Sequence, residues 1–246
     1  MHTVKEADIE HSLRKVDNNV FGEILYSSIY FTYPGSEKTT LNNISIKIPP
    51  YSLTCLVGKP KCGKSTFLKL LIKLHQIKEG AIRLGKTNIN DINSTWLRNR
   101  IGYVPQKTAL FGETIREALR GEKGPDVDNE LMYVCRMVNV HSYITSLQQV
   151  LYTRVGTHVS ETTKTTPSNL NLFILQGYDS VINHDMPDEI KEKLAIARIL
   201  LNDPDLLMLD NCMNNINIFT QMAIITDFVS ISTLKNKTKC LLNIIN

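Results

Sequence analysis

Residues 57–71 read VGKPKCGKSTFLKLL. Gly58 is followed, four residues on, by Gly63-Lys64-Ser65, the spacing of a loop that wraps a phosphate chain. In such a loop the lysine reaches the β- and γ-phosphates, and the hydroxyl of Ser65 is a ligand for Mg²⁺. Backbone N–H groups and the positive end of the following helix add to the attraction for an anion. A second candidate lies far along the chain, where DLLMLD (205–210) ends in Asp210. An acid at the carboxyl end of an apolar strand is where α/β sheets place ligand groups, and Asp210 is the expected Mg²⁺-side acid. The alternatives are plain: a tight turn with a chance Gly-Lys-Ser, and a capping Asp after a core strand. Two positions in the loop are unusual. Pro60 has no N–H to offer a phosphate, and Lys61 carries a Cβ where glycine is common.

These residues need a strand, a loop and a helix in that order, and the surrounding sequence supplies them. SLTCLV (52–57) is a short apolar strand, and STFLKLLIKLHQ (65–76) carries a broad apolar stripe at helical spacing, with Glu79-Gly80 expected to close it. EILYSSIYFTY (23–33) and NISIKI (43–48) read as an antiparallel pair across a turn at Pro34-Gly35-Ser36. Further strands are expected at 81–85, 100–106, 205–210 and 238–245. Residues 113–150 are helix-like with breaks at Gly121 and Gly124-Pro125, and 187–201 form an amphipathic helix stopped by Asn202-Asp203-Pro204. Residues 1–20 read as a polar linker or N-terminal extension, and 160–172 as an exposed polar insertion.

Composition narrows the function. The 246 residues allow one large domain or two small ones, and 42% hydrophobic content is ordinary for a globular chain. The net charge of +4 is spread without a dense basic stripe, which argues against a nucleic-acid partner. Five cysteines without a C-x-x-C pair suggest neither a disulfide framework nor a zinc site. No apolar run approaches the ~18–20 residues that span a bilayer, and the start of the chain is not a signal peptide.

Taken together, the order of these features resembles the nucleotide-binding domain of ABC transporters, of the exporter type, over about residues 23–245. YFTYPG looks like the family's aromatic loop, GYVPQ like its Q-loop, and KLAIARILLNDPDLLMLD like its signature helix and Walker B strand. The resemblance implies an α/β fold: a P-loop NTPase (RecA-like) core with an antiparallel β subdomain and a helical subdomain at about 107–190. It implies ATP and Mg²⁺ as ligands. Tyr33 would stack on adenine; Gly58, Lys59, Cys62, Gly63, Lys64, Ser65 and Thr66 would form the Walker A loop. Gln106 would touch Mg²⁺ with Ser65 and Asp210 and sense a transmembrane partner. It also implies a second nucleotide-binding domain as partner, and a place on the cytoplasmic side of a membrane, held by a transmembrane partner or domain.

The departures from the family pattern matter as much. The signature Leu-Ser-Gly-Gly-Gln is replaced by MPDEI (186–190), the water-polarising Glu after Asp210 by Asn211, and the D-loop by NNIN (214–217); no His lies beyond His184. Asp185-x-x-Asp188 has capping-box spacing, with Pro187 suited to a first helical turn, so the helix start is expected to satisfy itself and repel phosphate. Asn211 cannot take a proton, and losing a general base costs ~10²–10⁴-fold. The sequence therefore reads as an exporter-type ATP-binding domain with weak or absent hydrolysis. The alternatives are a soluble pseudo-ATPase that regulates or binds a partner, and a decayed product.

Overall fold

A computed structural model of the chain describes residues 22–108, 110, 112, 114–121, 127–147, 150–152, 186–234 and 240–245. The N-terminal 1–20, the insertion at 160–172 and Asp185 lie outside these. Two compact units form. The first draws on Met1–Gly102, Pro204–Asp210 and Ser232–Asn246, and the second on Tyr103–Asp203 and Asn211–Ile231.

In chain order the first unit holds β1 (Ile24–Phe31), β2 (Leu41–Ile48), β3 (Leu53–Val57), α1 (Lys64–Leu71), β4 (Glu79–Leu84), β5 (Thr87–Asn88) and α2 (Ser94–Arg100). β6 (Ile101–Val104) runs from the first unit into the second, and β7 (Leu206–Asp210) and β8 (Cys240–Ile245) belong to the first. One sheet has the order β2-β1-β4-β5, with antiparallel pairing, and the other the order β3-β8-β7-β6. In β1 the buried positions are Ile24 and Tyr26, then Ile29 and Phe31. The alternation slips by one residue at a bulge where Ser28 has φ 47° and the pairing register shifts. That slip keeps both halves of the strand facing the same core. Tyr26 joins this sheet to α1: its ring stacks on Phe67 at 3.8 Å and its hydroxyl donates to the Phe67 carbonyl at 3.2 Å. Removing the Phe67 ring from this contact would cost about 3–5 kcal/mol.

The parallel strands set the geometry of the site. β8 lies between β3 and β7, with Val57 opposite Ile245 and Asp210 opposite Ile244. The carboxyl ends of β3 and β7 thus lie at one end of the sheet, so the loop at Gly58 and the acid at Asp210 start from the same edge.

α1 ends at Leu71, well before the Glu79-Gly80 stop expected from sequence, and those two residues open β4 instead. The cause is a Schellman ending. Leu74 N donates to Lys69 O at 3.1 Å, Lys73 N donates to Leu70 O at 3.1 Å, and Lys73 takes the left-handed position at φ 55°. Arg98 closes the end by donating to the carbonyls of Ile72 and Lys73 at 3.1 and 2.9 Å.

The second unit is helical: α3 (Ile115–Arg120), α4 (Asp128–Met137), α5 (His141–Ser146), α6 (Asp188–Leu201) and α7 (Ile218–Leu234, whose last residues lie in the first unit). From Leu194 to Leu201 every residue of α6 is buried, as for a helix packed on all sides. Thr114 caps α3 by accepting from Glu117 N at 3.2 Å, and Arg116 ties α3 to α4 through Asp128 at 2.6 Å. α7 was not anticipated, because its sequence, IFTQMAIITDFVSISTL, has no polar face to give it a helical period.

Candidate nucleotide site

The loop after β3 is shaped by a turn. Cys62 N donates to Lys59 O at 3.2 Å, with Pro60 and Lys61 at the two central positions and Lys61 at φ 64°. Proline first and a left-handed residue second define a type II turn, whose second position favours glycine. Pro60 is therefore well placed, and Lys61 is the residue held against its preference, at a cost of about 1–2 kcal/mol. Gly63, at φ 102°, is the N-cap of α1. A Cβ there would lie 2.7 Å from Leu41 Cδ2 and 3.0 Å from Thr40 O. Only glycine fits both the dihedral and the space.

The first turn of α1 has no side-chain cap and no acid. Lys59, Lys61 and Lys64 surround it, so the helix start is electropositive with unspent N–H groups. These features fit a bound phosphate. Lys64 Nζ turns back onto the loop and donates to Gly58 O at 2.6 Å and Lys59 O at 3.1 Å.

In the first turn of α1, Ser65 Oγ donates to Asp210 Oδ1 at 2.8 Å. Asp210 is buried at 4% exposure. A hydroxyl and a carboxylate at this separation are hard oxygen donors of the kind Mg²⁺ takes. Thr66, also buried, shares a hydrogen bond of 2.9 Å with the Tyr33 hydroxyl. The Tyr33 ring stands edge-on to Phe31 at 4.9 Å and to His75 at 5.0 Å. Burial, and secondarily the charge of Lys69, lower the His75 pKa below its ordinary value. The aromatic surroundings of Tyr33 went unread in the sequence. The signal available was Phe31 two residues before Tyr33, and His75 at the end of the apolar stretch after the loop.

Within the first unit, then, Tyr33, Gly58, Lys59, Cys62, Gly63, Lys64, Ser65, Thr66 and Asp210 converge on the β3–α1 loop. Gln106 and Asn211 belong to the second unit. Gln106 is exposed just past β6, and Asn211 follows Asp210 directly with φ 53°.

The start of α6 differs from the expected capping box. Pro187 is the N-cap residue, in an extended conformation at ψ 140°, and it makes no side-chain cap. Helix begins at Asp188, which is therefore the first helical residue and not the third. Its carboxylate accepts from Lys191 Nζ at 3.0 Å, and Glu189 pairs with the buried Lys193 at 2.6 Å. Glu192, buried on the same helix, accepts from Asn215 N at 3.0 Å and from Asn215 Nδ2 at 2.8 Å. Desolvation raises its pKa above the ordinary value, against the opposing effect of those hydrogen bonds.

Among the described residues no helix is long and apolar enough to cross a membrane. Burial pushes the Cys135 thiol up to about 12, which leaves it inert in the core.

Comparison with known proteins follows the same lines. The family model for "ABC transporter" matches residues 41–214. P-glycoprotein 14 of Caenorhabditis elegans is 29% identical over 196 residues, covering 78% of this chain and 13% of that protein. The mitochondrial iron-sulfur clusters transporter atm1 of Aspergillus fumigatus is 29% identical over 217 residues, covering 88% and 26%. Multidrug resistance protein 1 of Entamoeba histolytica is 33% identical over 197 residues, covering 78% and 13%. A bacterial Atm1-family ABC exporter with ATP bound shares the fold, with a TM-score of 0.75 at 21% identity over 95% of this chain and 36% of that one. The chain thus spans between about an eighth and a quarter of the length of these three relatives. It belongs to the ABC transporter family and has the α/β fold of that family's nucleotide-binding domain.

Proposed function

We propose that this chain binds MgATP at the Gly58–Thr66 loop and cleaves it slowly or not at all. The observation that carries the reading is the contact of Ser65 with Asp210 beside an uncapped helix start, followed in the chain by Asn211. Gly63, Lys64 and Ser65 supply N–H groups and a cation for the phosphates. Lys59 and Cys62 line the approach, Thr66 and Tyr33 sit on the base side, and Gln106 is, by the family's pattern, a further ligand of the metal. Mg²⁺, when bound, offsets the negative charge of the β- and γ-phosphates. Asn211 can orient a water but cannot take its proton, which supports the low rate.

The acids of α6 support the second half of the proposal. Asp188 and Glu189 occupy the turn where the family presents a serine and glycines to the partner's nucleotide. Both are acids in the first turn, paired with lysines on their own helix, so they offset the helix's positive end and present negative charge where a phosphate would approach. This favours a chain that holds nucleotide for a structural or regulatory end. By the family's pattern its partners are a transmembrane domain and a second nucleotide-binding domain, at the cytoplasmic face of a membrane.

The test pairs binding with turnover. A fluorescent ATP analogue with Mg²⁺ is titrated into the chain and into Lys64→Ala, and phosphate release is followed in the same samples. Binding that is lost in the variant, with release close to background, supports the proposal. Sustained release overturns the low-activity half, and absence of binding overturns both.

A further inference from the structure

Three rings close a triangle beside the loop. Tyr33 stands 4.9 Å from Phe31 and 5.0 Å from His75, nearly perpendicular to both at 82° and 84°, and Phe31 lies 5.5 Å from His75. Contacts of this kind depend on ring orientation, so the two neighbours fix the plane of Tyr33. A further contact ties its far end, where the hydroxyl shares a hydrogen bond of 2.9 Å with Thr66 Oγ1. Thr66 follows Ser65 directly, so the ring is anchored to the phosphate loop. Tyr33 is half-buried, and part of it stays open to a ligand.

Of the three rings His75 is the one that can change its charge near neutral pH. Phe31 is buried in β1. His75 is delivered by the ending of α1, which is firmly held: Lys73 Nζ donates to Ile92 O at 2.8 Å, and Arg98 donates to the carbonyls of Ile72 and Lys73. The groups that face it are Lys69 from α1, the Tyr33 phenol from the segment after β1, and uncharged Phe31 from β1 itself. Among the described residues no acid pairs with Lys69, and the His75 nitrogens have no hydrogen-bond partner. A proton added to His75 therefore meets a like charge and partial burial with no carboxylate to offset them, and the same two effects lower its pKa. An imidazolium is better solvated in water, and turning toward water takes the ring contact away from Tyr33.

We propose that His75 is a positioning residue for the base of the bound nucleotide: neutral, it holds the Tyr33 ring in the plane on which the base stacks, and charged, it releases that plane. The inference rests on the Gly58–Thr66 loop as the nucleotide site, with Tyr33 on the base side. It makes base binding, rather than phosphate binding, sensitive to mild acid.

The test separates base from phosphate with two probes, a non-hydrolysable ATP analogue and inorganic tripolyphosphate. Each is titrated with Mg²⁺ into the full chain by calorimetry, at about pH 7.5 and about pH 5.5. Tripolyphosphate shares the analogue's own phosphate protonation but has no base, so the ratio of the two affinities reports the base alone. In the parent chain that ratio should fall about fivefold or more at the lower pH, the small end of what a base stacked on an aromatic ring is worth. His75→Phe keeps a ring without a charge and should hold the parent's neutral-pH ratio at both pH values. His75→Ala and Tyr33→Ala should give the low ratio at both. A parent ratio that ignores pH overturns the proposal, as does a fall that persists in His75→Phe or a His75→Ala ratio equal to the parent's. In these cases both probes still bind, and the nucleotide site stands. Absence of binding by either probe removes the nucleotide site, and the role of His75 with it.

Discussion

Ser65 and Asp210 are 145 positions apart in sequence, and their side chains meet at 2.8 Å. The contact joins the first turn of α1 to the end of β7, so it reports on the phosphate loop and on the sheet at once. Ser65→Ala removes the donor and is expected to cost about 1 kcal/mol of stability. Asp210→Asn keeps an acceptor and loses the charge, so its melting temperature stays close to the parent's. The added thermal stabilisation that Mg²⁺ gives over nucleotide alone should disappear in both variants. A melt series in Mg²⁺ and in chelator checks this, and an unaltered Mg²⁺ increment in Asp210→Asn would exclude that acid from the metal.

Lys61 is in the left-handed region at the turn position where glycine belongs. Lys61→Gly relieves that strain, and part of the gain is returned as extra freedom of the unfolded chain. The net expectation is a gain of about 0.5–1 kcal/mol, or a rise of roughly 1–4 °C in melting temperature for a chain of this size. Lys61→Ala keeps the Cβ and should gain nothing, which makes it the control.

His75 gives the aromatic cluster a pH dependence. Its pKa is lowered by burial and by Lys69, so the fold prefers the neutral ring. The stability it contributes is full above its ordinary value of about 6.5 and drains away as pH falls toward the lowered folded value. Melting temperature and affinity for an ATP analogue should both drop on going from neutral to mildly acidic buffer, and His75→Phe should flatten that drop. An identical pH profile in the variant would remove His75 from the account of Tyr33.

Restoring the missing chemistry has a structural cost. Asn211 is at φ 53°, a region asparagine tolerates better than glutamate. Asn211→Glu should lower stability by about 1 kcal/mol. Combined with Pro187→Ser, Asp188→Gly and Glu189→Gly, it should raise phosphate release by at least tenfold if base and signature are what the chain lacks. The triple change alone removes the partners of Lys191 and Lys193, and leaving the buried Lys193 short of its acid should lower the melting temperature. Unchanged release in the four-fold variant would show that the block lies elsewhere.

The strand–loop–helix at Gly58–Thr66 was legible because its parts are local. Gly58, Gly63, Lys64 and Ser65 fall within eight residues, and β3 and α1 flank them with clear periods. Asp210 was legible because a run of buried apolar residues ending in an acid has few other readings. Long-range neighbours were not. Nothing in the order of residues says that His75 stands against Tyr33, or that Glu192 holds Asn215. The early end of α1 was missed because its left-handed cap is Lys73 where glycine is usual, and the carbonyls it frees are taken by Arg98, more than twenty residues away. The helix start at Asp188 was misread for a related reason: Pro187 marks a boundary, and only its ψ of 140° shows on which side.

The turn at Lys59–Cys62 has a kinetic consequence. The loop already spends donors on itself: Cys62 N on Lys59 O, and Lys64 Nζ on Gly58 O and Lys59 O. On the proposed function, an arriving anion would draw Lys64 Nζ away from Gly58 O and Lys59 O, so release of that lysine would accompany capture. Association would then include a unimolecular step, seen as an observed rate that levels off as ligand is raised. Pro60 would confine that change to the lysine side chain, since its ring fixes a backbone torsion of the turn.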